Sequence, residues 1–127
     1  MIQRRVFFKR CIDDMFAAVE GNEEQSKQCV DCINTLWPGL SFTFDWSNKE
    51  ITFLDVRILM ESGKLETDRF VKQTNPQLFL HHSSNHPSSV FKSIVYGQGV
   101  TVRIICSRDE FVVEHIHRIF TIIFTIY

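Results

Sequence analysis

Residues 6–19 read VFFKRCIDDMFAAV, in which two apolar runs flank the adjacent acids Asp13 and Asp14. Two apolar runs around a short polar pair are typical of strand, tight turn and strand, so we predict a β-hairpin with both acids at its turn. Neighbouring side chains on an extended strand point to opposite faces, and a turn is therefore needed for two adjacent carboxylates to serve one site. Such a pair suits Mg²⁺ and nucleotidyl transfer by a metal-dependent mechanism. The stretch predicts catalytic, metal-ligating roles for Asp13 and Asp14; the alternative is a plain polar turn.

The composition is that of a globular chain with balanced charge. Of 127 residues, 44% are hydrophobic and 23% are charged, which fits one domain or a portion of a larger protein. The net charge of −1 is a weak electrostatic basis for holding nucleic acid alone. The four cysteines form no disulfide framework, and neither a signal peptide nor a membrane span is apparent. We expect an intracellular protein of the nucleus or cytoplasm, neither secreted nor transmembrane.

The segment after the hairpin predicts a helix. Asn22 is a suitable N-cap residue, Gln25 stands at the matching capping-box position, and residues 38–39 (Pro-Gly) end the helix. Cys29 and Cys32 fall on its apolar face at helical spacing, so we expect two buried core cysteines there.

Residues 42–72 predict antiparallel strands. Alternation over residues 42–46 predicts a half-buried strand, and a shift of the alternation within residues 51–60 predicts a bulge or a strand buried on both faces. Residues 61–64 predict a second hairpin turn, followed by a polar edge strand over residues 65–72. Ser107 and Glu110 are placed for a capping box at the start of a final helix. The whole pattern predicts an α+β fold with a helix on one face of the sheet.

Six further short sequence motifs together indicate a family resemblance that no single one of them would indicate. They occur in this order: FTF at 42–44, ITFLDV at 51–56, GKLETD at 63–68, LHHSSNHP at 80–87, YGQ at 96–98 and RIICS at 103–107. With the Asp13-Asp14 turn before them, residues 3 to about 118 resemble the reverse transcriptases of Penelope-like retroelements.

The resemblance implies the C-terminal part of a right-hand polymerase palm over residues 1–73 (a β-hairpin, a helix and antiparallel strands), followed by an α-helical, helix-turn-helix-like thumb over residues 74–127. It implies an RNA-directed DNA polymerase of a retrotransposon, with Mg²⁺ held by Asp13 and Asp14 and an RNA template and a DNA primer as partners. Support of the primer end would come from four residues: Cys11, Phe53, Leu54 and Asp55. We expect nucleic-acid contacts from Lys72, Lys92 and Arg103.

The chain departs from that family at several positions. Cys11 stands where the family usually has tyrosine, and Thr101 and Ile104 stand where it usually has two basic residues. Only twelve residues precede Asp13, so we expect the upstream palm and fingers, with a further catalytic aspartate and the nucleotide-binding segment, to be missing. The expected behaviour of the chain alone is therefore a catalytically silent fragment, and whether it is itself an enzyme is left open.

Three histidines, His81, His82 and His86, together with Cys106 suggest a zinc site. The His-His-x3-His segment has no local CxxC partner, so we expect a polar loop and no zinc. Two other functions stay open beside the polymerase. One is a non-catalytic, helix-turn-helix-like nucleic-acid-binding module formed by the two helices after Pro87, and the other is an inert retroelement relic.

Overall fold

The computed structural model describes residues 7–75, 79–81 and 83–126. It confirms an α+β fold, with two small antiparallel sheets and three helices in the described ranges. The elements in chain order are β1 (Phe7–Cys11), β2 (Asp14–Ala18), α1 (Glu23–Leu36), β3 (Glu50–Phe53), β4 (Val56–Glu61), β5 (Lys64–Arg69), α2 (Ser88–Ile105) and α3 (Asp109–Ile126).

The first sheet is the predicted hairpin of β1 and β2. Cys11 pairs with Asp14 at its end, so the turn itself consists of Ile12 and Asp13, and Asp14 is already the first residue of β2. Ile12 has φ of +53°, a left-handed conformation that is rare for a β-branched residue. Hairpin turns with a positive φ at the first central position normally place glycine there. The turn is therefore strained at the residue next to the two acids.

Helix α1 begins with the predicted capping box, but its apolar face is not buried as predicted. The Asn22 side chain accepts a hydrogen bond from the Gln25 backbone N–H, and the Gln25 side chain accepts one from the Asn22 N–H, which confirms the capping box. The expectation that Cys29 and Cys32 are buried is wrong, because both are exposed and α1 has no buried residue. Helical spacing places the two thiols near one another along the helix, but on a side that is open to solvent.

The second sheet has the order β3-β4-β5, and two of its features correct the sequence analysis. The shift in alternation is neither a bulge nor a doubly buried strand, because the chain reverses at Leu54 and Asp55 between β3 and β4. Leu54, like Ile12, occupies the left-handed region, with φ of +55°. Residues 42–46 do not join a sheet, since Phe42 bonds instead to Asn34 of α1, at 2.7 Å from its N–H and 3.0 Å to its carbonyl oxygen.

The second predicted turn is confirmed, with Glu61 paired with Lys64 across Ser62 and Gly63. Both central residues have positive φ, at +49° and +74°, as this type of tight hairpin turn requires. β5 is an edge in the strand order, as predicted, but it ends at Arg69 and the helix pair lies against it.

The core lies between the two long helices. Val102, Cys106 and Ile119 are buried there, and half-buried side chains of the same region pack around them. Those neighbours are Phe79, Phe111, Val112, Ile116 and Ile123. No residue in the range 7–67 is buried, so the hydrophobic stabilisation of the described part of the chain is concentrated in its second half.

Candidate functional site

Helices α2 and α3 are joined by the three residues 106–108. A turn of this length between two packed helices is the arrangement of a helix-turn-helix unit. The turn begins with Cys106, whose backbone N–H donates to the carbonyl oxygen of Val102 at 3.0 Å and so closes the last turn of α2. Cys106 and Val102 also belong to the core that packs between the two helices.

The same turn is hydrogen-bonded to β5. The backbone N–H of Ser107 donates to the Thr67 carbonyl oxygen at 2.8 Å, and the Thr67 N–H donates to Ser107 Oγ at 2.9 Å. Thr67 Oγ1 donates to the Ile105 carbonyl oxygen at 2.6 Å, which satisfies one of the free carbonyl groups at the end of α2. These three hydrogen bonds attach the end of α2 and the turn between the helices to the edge strand β5.

The capping box predicted at Ser107 and Glu110 is wrong for that reason. The Ser107 hydroxyl donates to a carboxylate oxygen of Glu66 at 2.5 Å, and it also accepts the bond from Thr67 N–H. The hydroxyl therefore serves the strand and not the first turn of α3. Its hydrogen bond is the main reason that the pKa of Glu66 lies below its ordinary value.

Arg108 adds an ionic contact at the same junction. Its guanidinium bonds to Glu61, and its Nε lies 3.4 Å from a carboxylate oxygen of Glu66. The hydrogen bond to Glu61 is the largest cause that raises the pKa of Arg108. Since two carboxylates already hold it, Arg108 is poorly placed to bind a phosphate.

Asp68 is the charged centre of the junction, and it is only 5% exposed. Its Oδ2 lies 2.5 Å from Arg57 Nη2 on β4, and its Oδ1 lies 2.8 Å from His115 Nε2 on α3. Oδ1 also accepts the Arg69 backbone N–H at 2.8 Å and faces the Cys106 thiol at 3.6 Å. Four partners from β4, β5, the turn and α3 thus converge on one carboxylate.

The ionisation of this cluster follows from its contacts. Burial would raise the pKa of Asp68, but the hydrogen bonds from His115 and Arg57 outweigh that effect and lower it. Burial raises the pKa of the Cys106 thiol, which favours its protonated form. The cluster is a buried carboxylate with its hydrogen-bond partners in place, which is the condition under which a charge can be buried at all.

The central position of Asp68 does not follow from the sequence alone. Nothing in the local pattern distinguishes it from the other polar residues of β5, and its partners His115 and Cys106 lie 47 and 38 positions away. Asp68, Cys106 and His115 are also the group of three metal-ligand types that the described residues bring within 4.8 Å of one another.

The predicted metal site at the first hairpin consists of the carboxylates of Asp13 and Asp14. Asp13 and Asp14 are both exposed, and Arg10 Nε holds the turn by donating to the Ile12 carbonyl oxygen at 2.9 Å. Within the described ranges, no third carboxylate, histidine or cysteine lies close enough to share a metal ion with these two acids. The arrangement offers two carboxylates to solvent at a strained turn.

The residues predicted to support a primer end lie at the turn ends of two different hairpins. Cys11 is the last residue of β1, whereas Leu54 and Asp55 form the turn between β3 and β4. The two hairpins touch through Phe16 and Phe53, whose ring centroids are 5.9 Å apart. Of the four predicted residues, Phe53 is therefore the one that takes part in this contact between the hairpins.

The predicted nucleic-acid contacts are divided between a loop and a helix. Lys72 is exposed in the segment between β5 and α2, and Lys92 is exposed on α2. Arg103, near the end of α2, donates from Nη1 to Asp109 Oδ1 at 2.7 Å, although its side chain is 67% exposed.

The histidine segment forms local hydrogen bonds. His81 Nδ1 lies 2.7 Å from Ser83 Oγ, and His86 Nδ1 lies 3.2 Å from Ser84 Oγ. His82 lies outside the described residues. His81 and His86 are not in the group of metal-ligand types formed by Asp68, Cys106 and His115.

Comparison with known proteins agrees with the geometry of the helix pair. Residues 78–123 match the animal helix-turn-helix domain, a stretch that includes α2, the turn and most of α3. The match spans just over a third of the chain and does not reach either sheet. No curated protein and no solved structure matches the chain. None of the helices in the described ranges has the length and apolar character needed to cross a membrane.

Proposed function

We propose that the chain is a nucleic-acid-binding module that acts through its helix-turn-helix unit. The observation that carries the proposal is the coincidence of the matched residues 78–123 with a helix pair whose turn is hydrogen-bonded to a sheet. Nucleic-acid binding by a helix pair needs a fixed orientation of the contacting helix. Hydrogen bonds at Ser107 and the ion cluster at Asp68 provide such a fixed orientation relative to β5.

The charge of the module sets the strength of the proposed binding. Residues 74–127 carry four basic and three acidic side chains. Because phosphate contacts supply most non-specific affinity, a net charge this low predicts weak binding that salt abolishes.

Fluorescence anisotropy with labelled single-stranded RNA, duplex DNA and an RNA–DNA hybrid tests the proposal on the whole chain. We expect saturable binding to at least one of them at about 50 mM salt and its loss by about 200 mM. A chain that is folded by circular dichroism and binds none of the three at low salt would overturn the proposal. A polyanionic heparin competitor distinguishes simple charge attraction from a preference for nucleic acid.

A second candidate function is supported by the first hairpin. We propose that the chain is a palm and thumb portion of a reverse transcriptase, in which Asp13 and Asp14 supply carboxylates to Mg²⁺. The supporting observation is that both acids are exposed beside Ile12, which is held at an unfavourable positive φ. Strain of this kind persists where surrounding structure enforces it, and it is common at functional sites.

The residues fit Mg²⁺ only in part, because two carboxylates are an incomplete set of ligands for a two-metal site. What they would supply is charge and orientation for the ion, and the remaining ligands and the nucleotide pocket belong to the rest of a polymerase. The many exposed apolar side chains of the first half of the chain fit contact with further protein. They include Phe7, Phe8, Ile12, Met15, Leu36, Trp37 and Leu40.

Primer extension tests this candidate. In a polymerase that contains this segment, Asp13→Asn or Asp14→Asn should lower nucleotide incorporation by orders of magnitude without unfolding the protein. The same incorporation rate in mutant and parent would exclude the metal role. The chain alone, with Mg²⁺, a primed RNA template and deoxynucleotides, should extend no primer, and extension that Asp13→Asn abolishes would contradict that expectation.

A further inference from the structure

We propose that α2, the first helix of the pair, carries the surface that contacts nucleic acid, and that this surface binds backbone phosphates. The inference rests on the proposed nucleic-acid-binding function and specifies its site. In the common helix-turn-helix arrangement the second helix enters the groove and the residues at its N-terminus reach the bases. The distribution of charge over this helix pair favours the opposite assignment.

The two helices differ in charge. Over Ser88–Ile105, α2 contains Lys92 and Arg103 and no acidic residue. Over Asp109–Ile126, α3 contains three carboxylates and one guanidinium, from Asp109, Glu110, Glu114 and Arg118. A phosphate backbone is therefore attracted to α2 and repelled by the first two turns of α3.

The N-terminal end of α3 is unsuitable for groove contact for a second reason. Asp109 and Glu110 stand at its first two positions, where a recognition helix would meet the nucleic acid. Arg108, the basic residue just before them, is already held by Glu61 and Glu66 of the sheet. Of the basic side chains described at this end of the helix, Arg103 offsets only Asp109, through an exposed ion pair, and none is paired with Glu110.

The basic residues of α2 lie on one face of the helix. At 100° per residue, Lys92, Tyr96 and Arg103 project within about 40° of one another, and Lys92 and Arg103 are about 16 Å apart along the axis. That spacing corresponds to about five steps of a nucleic-acid strand at 3.4 Å each. Tyr96 is 76% exposed between the two charges, with an aromatic ring and a hydroxyl group open to a ligand.

One contact within the chain competes with this surface. Arg103 Nη1 donates to Asp109 Oδ1 at 2.7 Å, and the two side chains are 67% and 89% exposed. An ion pair this exposed is weak, and the guanidinium has further N–H donors for a phosphate. Removal of the Asp109 charge should therefore strengthen phosphate binding at Arg103.

Salt titration of binding by four whole-chain variants tests the inference, with single-stranded RNA and duplex DNA as probes. Lys92→Gln and Arg103→Gln should each lower the slope of log affinity against log salt by about 0.7 to 0.9, the value of one phosphate contact. The affinity lost between about 50 and about 200 mM salt should then shrink by about threefold per variant. Asp109→Asn should bind more tightly than the natural chain.

Arg118→Gln is the matched control, since it removes one exposed basic side chain from α3 and should leave the slope unchanged. Circular dichroism verifies that all four variants are folded. Loss of slope in Arg118→Gln but not in Lys92→Gln or Arg103→Gln would overturn the assignment to α2 and leave the proposed function standing. Absence of binding by the natural chain would instead overturn the proposed function itself.

Discussion

The carboxylate of Asp68 offers a sharp test of how the helix pair is attached to the sheet. Asp68→Asn keeps the size and shape of the side chain but removes its charge. The single amide oxygen of asparagine can accept a hydrogen bond from His115 Nε2 or from Arg57, and the other partner then faces the NH₂ group. The substitution thus weakens the contacts by which Asp68 joins β4, at 2.5 Å from Arg57, and α3, at 2.8 Å from His115.

The magnitude follows from the burial of the two partners. Removal of one member of a fully buried ion pair typically costs about 3–5 kcal/mol. The Asp68 side chain is 7% exposed but that of Arg57 is 36% exposed, so water can solvate the abandoned guanidinium. We therefore expect a loss of about 2 kcal/mol, in the range of a hydrogen bond to a charged group. A chain with so small a core has little stability to lose.

Urea unfolding followed by circular dichroism at neutral pH measures the loss. Asp109→Asn is the matched control, because it makes the same chemical change at a side chain that is 89% exposed and ion-paired to Arg103. The control should change the free energy of unfolding by no more than about 0.5 kcal/mol. If Asp68→Asn and Asp109→Asn had equal, small effects, the ion cluster would not hold the helix pair.

The dependence on pH has a definite sign. The pKa of Asp68 is lowered in the folded chain, so the unfolded carboxyl group takes up its proton at a higher pH than the folded one. Its stabilising contribution is complete above the unfolded value of 3.8 and is lost as the pH falls through the folded value. The difference in stability between the natural chain and Asp68→Asn should therefore shrink as the pH falls below about 3.8. A difference that grows in acid would contradict the assignment.

Three further predictions address other contacts. Thr67→Val removes the 2.6 Å hydrogen bond to the Ile105 carbonyl oxygen and should lower the free energy of unfolding by about 1 kcal/mol. The control Thr52→Val, on the exposed side of β3, should have little effect. Equal losses in urea unfolding would refute a special role for Thr67. Ile12→Gly relieves a positive φ and should leave stability unchanged or raise it by up to about 1 kcal/mol in the same assay, and a clear loss would argue against a strained turn. Elemental analysis of the purified chain should find no stoichiometric zinc in the histidine segment, and zinc that His86→Gln displaces would disprove this.

Local signals in the sequence were sufficient to predict much of the fold. The first hairpin, the cap of α1 and the turn at Ser62 and Gly63 follow from turn residues, capping residues and apolar spacing, which act within a few positions of the chain. The helical character of residues 74–127 was expected from the family resemblance. The Leu54 turn was missed because a branched apolar residue is rarely found at positive φ. With no glycine or asparagine at that position, the reversal was indistinguishable from a disturbed strand.

Exposure could not be predicted in the same way. Helical spacing shows that Cys29 and Cys32 share one side of α1, but it contains no information on whether another element covers that side. The partners of Ser107 illustrate the same limit. The position of Ser107 before an acidic helix start favoured a cap. Thr67, 40 positions earlier, instead donates its N–H to the Ser107 hydroxyl and accepts the Ser107 N–H at its carbonyl oxygen. Competition between local and distant partners is decided by tertiary structure.

The distribution of buried residues bears on how the helix-turn-helix unit should be isolated. The buried residues within the described ranges are Asp68, Val102, Cys106 and Ile119, one on β5 and three in the helix pair. The matched region begins at residue 78, so a fragment cut there would lose Asp68 and Thr67 together. His115 would then lose its carboxylate partner, and the Ile105 carbonyl and Ser107 would lose their bonds to the strand. Since unpaired polar groups at a helix junction weaken it, the orientation of α2 relative to α3 depends on β5. Binding measured on residues 78–123 alone would therefore report on a loosened helix pair, whereas a chain that retains β4 and β5 preserves the geometry on which phosphate contact by α2 depends.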